Sequence, residues 1–334
     1  MQLTNNTNVS LSLAVWLATD EYDYNDDPDT ISTTTLLQPI RAIVLARQNK
    51  QLEKKGDIVS LIASSMGTAI HDSIEKAWRS EDLTATLEKL GYPKHIADRI
   101  VINPTKDTAF PEMIPVYLEQ RYSKVINGFT VTGKPDIIAN GKLEDYKSTS
   151  AWSEVYGSKT KEHTQQVSVY HWLNPEIITD DLALIQYIYR DWSKSDARTN
   201  YKPKPGRNPY PQTQLVTKEV KLLSLVETES FVSGILSQIR FYENAPQENL
   251  PQCTREELWQ SDDEWKYYKK PDAKRATKAN ITSAAEAQAV LDANGGVGLV
   301  KHFPGKVVRC NYCDVSEVCQ QAQNFVQQGL ITLT

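Results

Sequence analysis

The segment TGKPDIIANGKLEDYKST, residues 132–149, places two acids and a lysine around one tight turn. Its centre is Asn140-Gly141, and both residue types tolerate the positive φ that a two-residue hairpin turn requires. We therefore predict a β-hairpin whose strands are residues 131–139 and 142–149. Because the turn sets the register of the hairpin, it also sets which side chains share a face.

This register places Asp136 directly opposite Asp145, and Lys147 lies two residues further along the same face. Like charges directly opposite each other destabilise a sheet, so the acid pair needs something that offsets the repulsion. A divalent cation with a preference for oxygen ligands, Mg²⁺ or Mn²⁺, would provide the offset. An exposed hairpin with solvated charges is the alternative, and the segment alone does not decide between the two.

The overall composition indicates a globular protein with a sizeable core. The chain has 334 residues, of which 40% are hydrophobic and 24% are charged. No apolar run approaches the ~20 residues of a membrane span. The N-terminal stretch lacks the basic region of a signal peptide, so we expect a cytoplasmic protein.

The charge and the motifs exclude two classes of function. The net charge is −5, which excludes binding to nucleic acid through bulk positive charge. No G-x-x-x-x-G-K-[ST] loop occurs, so the sequence contains no ATP motor of that type. Any contact with DNA must therefore be local.

The order of helical and extended patterns predicts an α/β protein with a mixed central sheet flanked by helices. A long amphipathic helix is predicted over residues 57–80, with a core stripe formed by Ile62, Met66, Ile70 and Ile74. Later elements are predicted as a helix at 161–173, strands at 182–189 and 216–222, and a helix at 225–242. We predict a core of residues 1–245 and a C-terminal subdomain of residues 246–334.

The long helix carries a second stripe, made of Gly67, His71 and Glu75. Imidazole is a common metal ligand, and the missing side chain at Gly67 leaves room beside it. Glu75 is a further candidate for binding a metal or orienting the histidine. An ordinary half-buried histidine is the alternative, and the nearby acid pair is what favours the metal.

The helix at 161–173 presents Gln166 and Tyr170 four residues apart on one face, with His163 one turn earlier. These polar groups either form an ordinary helix surface or face the acids.

These residues form four ordered motifs, which are Gly67-x-x-x-His71, Gly133-x-x-Asp136, Asp145-x-Lys147 and Gln166-x-x-x-Tyr170. Their order and spacing resemble the RecB-like branch of the PD-(D/E)XK nuclease superfamily, including phage-type exonucleases. The resemblance implies a restriction-endonuclease-like core. It also implies metal-dependent hydrolysis of DNA, most simply by an exonuclease of phage or bacterial DNA replication, recombination or repair.

The resemblance also implies a role for each residue. The ligands of one or two Mg²⁺ or Mn²⁺ ions would be His71, Asp136, Asp145 and the backbone carbonyl of Tyr146. Lys147 would position the attacking water and counter the negative charge that develops on the phosphate. Gln166 and Tyr170 would position either the DNA backbone or the lysine.

Two other functions remain open from the sequence. One is a non-catalytic nuclease-fold module that binds DNA or a protein. The other is an endonuclease of the restriction or CRISPR-adaptation type. Because no motor motif is present, we also expect a helicase or a single-strand-binding protein as a partner.

The cysteines form the pattern Cys310-x2-Cys313-x5-Cys319, with Cys253 upstream. In a reducing compartment, clustered cysteines indicate a metal more often than a disulfide. The spacing is similar to the C-terminal iron–sulfur staple of AddB-type and CRISPR-associated RecB-like nucleases. This implies a structural 4Fe–4S cluster, with Zn²⁺ as the alternative. In those proteins the fourth cysteine precedes the nuclease motifs, whereas Cys253 follows them.

Overall fold

The structure is a computed structural model, and it describes residues 2–19, 25, 27–51, 55–156, 159–200, 202 and 207–333. The chain divides into two compact units. The first comprises Met1–Leu37 and Glu53–Ser237, and the second comprises Gln38–Leu52 and Gln238–Thr334. The predicted boundary between residues 245 and 246 stays a prediction.

The strands within the described residues are β1 (Gln2–Thr4), β2 (Thr30–Ser32), β3 (Lys55–Asp57), β4 (Ile100–Ile102), β5 (Ile114–Leu118), β6 (Tyr122–Ile126), β7 (Phe129–Gly133), β8 (Ile137–Ala139), β9 (Lys142–Thr149), β10 (Leu182–Tyr189), β11 (Leu215–Lys221), β12 (Glu264–Tyr268), β13 (Lys278–Ile281) and β14 (Leu299–Phe303). The helices are α1 (Leu11–Ala18), α2 (Thr33–Leu36), α3 (Ile40–Gln48), α4 (Ile62–Trp78), α5 (Leu83–Lys89), α6 (Lys94–Ala97), α7 (Ala151–Val155), α8 (Thr160–Leu173), α9 (Lys194–Thr199), α10 (Leu225–Tyr242), α11 (Ala284–Ala293) and α12 (Gln320–Gln327). None of the described helices is long and apolar enough to cross a membrane.

The largest sheet of the first unit has the strand order β11-β10-β9-β8-β5-β4. The pairs β9/β10 and β4/β5 are parallel, and the remaining neighbours are antiparallel. The predicted α/β class with a mixed sheet flanked by helices is therefore confirmed. The predictions for α8, β10, β11 and α10 are also confirmed, to within one residue at each end.

The predicted hairpin forms between β8 and β9. Its paired residues are Ile137 with Glu144, Ile138 with Leu143, and Ala139 with Lys142, as the sequence predicts. The turn residues Asn140 and Gly141 have φ values of 48° and 86°, which is the backbone that a type I′ turn requires. The local sequence therefore sets the register of this hairpin correctly.

The prediction of one continuous strand over residues 131–139 was wrong. The structure breaks it into β7, which pairs with β2 and β6 in a separate sheet, and β8, which belongs to the central sheet. Pro135 lies at the break, and a proline cannot continue a ladder because it has no N–H to donate. Asp136 consequently lies just before the first ladder pair instead of directly opposite Asp145.

The central sheet has a helix on each face. Ile138 and Leu143 point to one face and pack in a buried cluster with Val167 of α8. The adjacent residue Ile137 points to the other face, where it packs with Trp78 of α4. Side chains of a strand alternate between the two faces, so neighbouring residues of the sheet pack against different helices.

The prediction that α4 carries a core stripe was wrong. Ile62 and Met66 are exposed, Ile70 and Ile74 are only half-buried, and no residue of the helix is fully buried. The packing of α4 on the sheet involves its C-terminal residue Trp78. The three isoleucines and the methionine therefore lie on one side of the helix, but that side is not buried.

In the second unit, a three-stranded sheet has the order β13-β12-β14. The helix α11 covers one face of this sheet, where Tyr267, Ile281 and Ala287 are buried together.

Candidate active site

One cleft of the first unit, with a volume of about 280 Å³, brings the sequence motifs together. The predicted residues that line it are Gly67, His71, Gly133, Asp136, Asp145, Lys147, Gln166 and Tyr170. They come from α4, the end of β7, the residue before β8, β9 and α8. The cleft therefore lies where α4 and α8 meet the central sheet and the sheet that contains β7.

Asp136 and His71 form the first half of the site. Oδ1 of Asp136 lies 3.2 Å from Nδ1 of His71. Its other oxygen, Oδ2, accepts a hydrogen bond of 2.6 Å from the backbone N–H of Tyr146. Burial lowers the pKa of His71, but the hydrogen bond and negative charge of Asp136 outweigh it, and the pKa is raised overall. The same negative field would attract a cation.

Asp145 and Lys147 form the second half. The side chain of Asp145 is almost fully buried, and its Oδ2 lies 2.6 Å from Nζ of Lys147 without a hydrogen bond of acceptable geometry from any described residue. Burial raises the pKa of Asp145 to about 6, against the opposing effect of the lysine. Buried carboxylate oxygens are normally satisfied, so this oxygen remains available as a ligand.

A hydrogen-bonded chain holds Lys147 from the side of α8. Its ammonium donates to Oε1 of Gln166 at 2.9 Å, and Nε2 of Gln166 donates to the hydroxyl of Tyr170 at 2.8 Å. Both Gln166 and Tyr170 are buried. The sequence left open whether these two residues position the DNA backbone or the lysine. In the structure, Gln166 bonds Lys147 and Tyr170 bonds Gln166.

Glu119, which follows β5, is a site residue that the sequence analysis missed. Its backbone has a φ of 51°, in the left-handed region that residues other than glycine rarely adopt. Its N–H donates to the carbonyl of Asp136 at 3.1 Å, and its carboxylate lies 2.7 Å from Nζ of Lys134. Burial raises its pKa. No sequence motif predicts that Glu119 lies in the cleft. Its position depends on a backbone conformation that only the structure shows.

Glu119, His71 and Asp136 together offer three ligand atoms that lie within 4.8 Å of one another. Among the described residues this is the one group of histidine, cysteine or acid side chains with such spacing. Carboxylate oxygens with an imidazole nitrogen form a donor set that suits Mn²⁺, and the oxygens suit Mg²⁺. The donor set and the orphaned oxygen of Asp145 therefore fit a divalent cation.

Glu75, the further candidate ligand, is not brought to the cleft. Its carboxylate lies 2.8 Å from Nε of Arg79, one turn further along α4. Gly67, by contrast, does line the cleft, and a Cβ atom built there would meet nothing within 4 Å. The room that the sequence predicts beside His71 is present.

Gly133 packs more tightly than any side chain would allow. A Cβ atom there would lie 2.7 Å from Cδ1 of Leu173, 2.8 Å from Oγ1 of Thr33 and 2.8 Å from Cδ1 of Tyr170. The hydroxyl of Thr33 is buried and donates to the carbonyl of Thr132 at 3.0 Å. This close approach of β7 to α8 sets the position from which the chain continues to Asp136.

The four cysteines line one small cavity of the second unit, and none is in a disulfide. Gln321 ties the upstream cysteine to α12: its Oε1 accepts from the backbone N–H of Cys253 at 2.8 Å, and its Nε2 donates to the Cys253 carbonyl at 3.0 Å. These two hydrogen bonds hold Cys253, which follows the four motifs in the sequence, against α12.

The cysteine sulfurs do not form a tight group. Within the described residues, no three cysteine sulfurs lie within 4.8 Å of one another. Tetrahedral zinc with Zn–S bonds of ~2.3 Å would hold its sulfurs about 3.8 Å apart. A single zinc ion would therefore require the thiols to move closer together, and four thiolates suit either zinc or an iron–sulfur cluster.

Comparisons with known proteins add little to this geometry. No protein-family model matches the chain, and no curated protein matches its sequence. Among solved structures, the chain is similar to SSO0001, with 13% identity, 73% of this chain and 94% of that chain covered, and a TM-score of 0.39.

Two further solved structures are similar. A phage-related exonuclease from Haemophilus somnus 129PT has 18% identity, with 37% of this chain and 57% of that chain covered and a TM-score of 0.23. A candidate exonuclease from Eubacterium rectale has 12% identity, with 89% of this chain and 100% of that chain covered and a TM-score of 0.37. Similarities of this size carry no argument about activity.

Proposed function

We propose that the protein is a Mg²⁺- or Mn²⁺-dependent deoxyribonuclease that acts as an exonuclease. The observation that carries the proposal is the convergence of Asp136, Asp145 and Lys147 in one cleft, with the ammonium 2.6 Å from the Asp145 carboxylate. Hydrolysis of a phosphodiester needs acidic ligands for a hard cation and a positive group for the charged phosphate. DNA as the substrate, and attack from an end, follow from the resemblance of the four motifs to RecB-like nucleases.

The residues proposed to hold the cation are His71, Asp136, Asp145 and the backbone carbonyl of Tyr146, joined by Glu119. When bound, the cation would polarise the phosphate and lower the pKa of its water. The unsatisfied oxygen of Asp145 and the close spacing of the three other side chains support this assignment.

Side chains of the protein would position the phosphate and the attacking water. Lys147 lies between Asp145 and Gln166 and has three hydrogens, so at least one can donate to a phosphate oxygen or to the attacking water. Tyr170 holds the amide of Gln166 and so keeps its oxygen turned to the lysine. A preorganised cation of this kind stabilises the charge of the transition state without reorganising during the reaction.

We further propose that Cys253, Cys310, Cys313 and Cys319 hold a 4Fe–4S cluster that anchors the C-terminal segment. Their shared cavity supports a common centre, and the resemblance of their sequence spacing to the iron–sulfur staple of RecB-like nucleases favours the cluster over zinc. The proposed role is structural, because the cysteines belong to the second unit and the acids belong to the first.

The test is incubation of anaerobically purified protein with linear and covalently closed circular duplex DNA, with and without Mn²⁺ or Mg²⁺. We expect metal-dependent loss of the linear DNA alone. Lys147→Ala should abolish the loss. Lys142→Ala is the matched control, because Lys142 lies on the same strand but pairs with Asp180 at 3.3 Å outside the cleft.

Each other result would assign a different function. Cleavage of the closed circle by the wild type and not by Lys147→Ala would identify an endonuclease. Absence of cleavage by folded, metal-bound protein, both alone and with an added helicase or single-strand-binding protein, would leave a module that binds DNA or protein.

A further inference from the structure

Arg41 of α3 is an arginine buried beside the cysteines. Its side chain is only 2% exposed. Its Nε donates to Sγ of Cys319 at 3.3 Å, and its Nη1 donates to the carbonyls of Gln247 at 3.2 Å and Leu250 at 3.3 Å. The guanidinium therefore lies against the same cavity that the four cysteines line.

Within the part of the chain that the structure describes, no carboxylate pairs with Arg41. Arg47 of the same helix shows the ordinary arrangement, since its guanidinium lies 3.0 Å from the carboxylate of Glu243. An arginine cannot shed its proton in a protein, and a buried charge without a counter-ion is costly. Two carbonyl oxygens solvate the Arg41 guanidinium in part, but they do not neutralise it.

The missing negative charge has one source in the cavity. Neutral thiols carry no charge, whereas thiolates that bind a metal do, and four of them give the centre a net negative charge with either zinc or iron and sulfide. Cys319, the sulfur that receives the Arg41 hydrogen bond, belongs to that set.

We propose that Arg41 is the counter-ion of an anionic metal–thiolate centre and that its Nε–H hydrogen-bonds the Cys319 thiolate. The inference rests on the proposed metal centre. A hydrogen bond to a charged acceptor is stronger than one to a neutral thiol, so the bound centre satisfies both the arginine and the sulfur. The reduced form of a cluster carries one more negative charge, so a buried cation raises its reduction potential.

The test compares Arg41→Gln, Arg41→Lys and the wild type, all purified without oxygen. Arg47→Gln is the matched control, because Arg47 lies on the same helix but its guanidinium pairs with the carboxylate of Glu243 at 3.0 Å. Iron, acid-labile sulfide and zinc are counted per chain. The midpoint potential is then measured by a dithionite titration followed by electron paramagnetic resonance.

We expect about four iron and four sulfide per wild-type chain. Arg41→Gln should shift the midpoint potential to a more negative value than either the wild type or Arg47→Gln. Arg41→Lys, which keeps the charge, should recover most of the shift. An unchanged potential in Arg41→Gln with a full cluster would overturn the role of Arg41 and leave the metal centre standing.

Other outcomes also decide the matter. If the wild type holds zinc, Arg41→Gln should lose it to a chelator about tenfold faster than Arg47→Gln does, and equal rates would refute the inference. If Arg41→Gln does not fold, retention of metal by folded Arg41→Lys at the wild-type level supports the charge, and loss of metal opposes it. A wild type without metal would refute both the centre and the counter-ion.

Discussion

Nζ of Lys147 lies 2.6 Å from Oδ2 of Asp145, and the same ammonium donates to Oε1 of Gln166 at 2.9 Å. The lysine is therefore held between a buried acid and a buried amide. The position of Lys147 relative to Asp145 depends on β9 alone, because both residues lie on that strand. Its position relative to Gln166 depends on the packing of α8.

Lys147→Met should lower the rate of DNA cleavage by about 100- to 1000-fold, because it removes the cation that faces the phosphate. Gln166→Leu should cost less, about 10- to 100-fold, because the lysine keeps its contact with Asp145. Single-turnover cleavage of linear DNA at saturating Mn²⁺ measures both. Equal losses in the two variants would contradict the view that Gln166 acts through the lysine.

Glu119→Gln should weaken Mn²⁺ binding by about 10- to 100-fold, because it removes one oxygen ligand and its charge. Glu75→Gln is the matched change outside the cleft, and it should leave the affinity unchanged, since Glu75 pairs with Arg79. Calorimetric titration with Mn²⁺ in the absence of DNA measures both affinities. A weaker affinity in Glu75→Gln, with an unchanged affinity in Glu119→Gln, would make Glu75 the metal ligand in place of Glu119.

Gly133→Ala should lower the free energy of unfolding by about 1–3 kcal/mol, because the added methyl overlaps side chains of Leu173, Thr33 and Tyr170. Gly67→Ala should raise it by up to about 1 kcal/mol, because alanine favours a helix and meets no neighbour. Urea unfolding monitored by circular dichroism compares them. A stable Gly133→Ala protein would show that β7 is not closely packed on α8.

His163 should make the protein less stable as the pH falls below neutrality. Burial, with the charges of Lys147, Lys159 and Lys218, lowers its pKa from 6.5 to about 3. Between pH 6.5 and pH 3 the unfolded chain binds a proton that the folded one does not, so the free energy of unfolding decreases as the pH falls.

The slope of this effect is up to about 1.4 kcal/mol per pH unit. His163→Gln does not titrate and keeps a polar group near the hydroxyl of Tyr187, which lies 2.8 Å from Nδ1 of His163. Urea unfolding at pH 7 and pH 5 should therefore show a larger loss of stability for the wild type than for the variant. Identical losses would place His163 in contact with solvent.

Gln321→Leu should release metal from the cysteines faster, by about 10-fold, because Cys253 loses both backbone hydrogen bonds to that side chain. Gln288→Leu on α11 is the control, since the amide of Gln288 donates to the carboxylate of the nearby Asp292. Transfer of metal to a chromogenic chelator gives the rates. Unchanged release from Gln321→Leu would show that Cys253 is held by other means.

Local patterns in the sequence were sufficient for several parts of the fold. The Asn140-Gly141 turn determines the register of β8 and β9, because a two-residue turn leaves one pairing that matches the twist of the strands. The helix α8 and the strand β10 follow their hydrophobic patterns closely. Residues four apart on a helix share a face, so the sequence likewise predicted that Gln166 and Tyr170 lie together.

Other features depended on contacts between distant residues. Glu119 enters the cleft at a left-handed backbone position, where its N–H bonds the carbonyl of Asp136 on another segment of the chain. Arg41 meets Cys319 across 278 residues of sequence. Periodicity and turn chemistry act over a few residues and therefore determine strands, helices and their registers. Which polar groups share a buried space is decided by tertiary packing, because the cost of burial depends on every partner that the fold brings there.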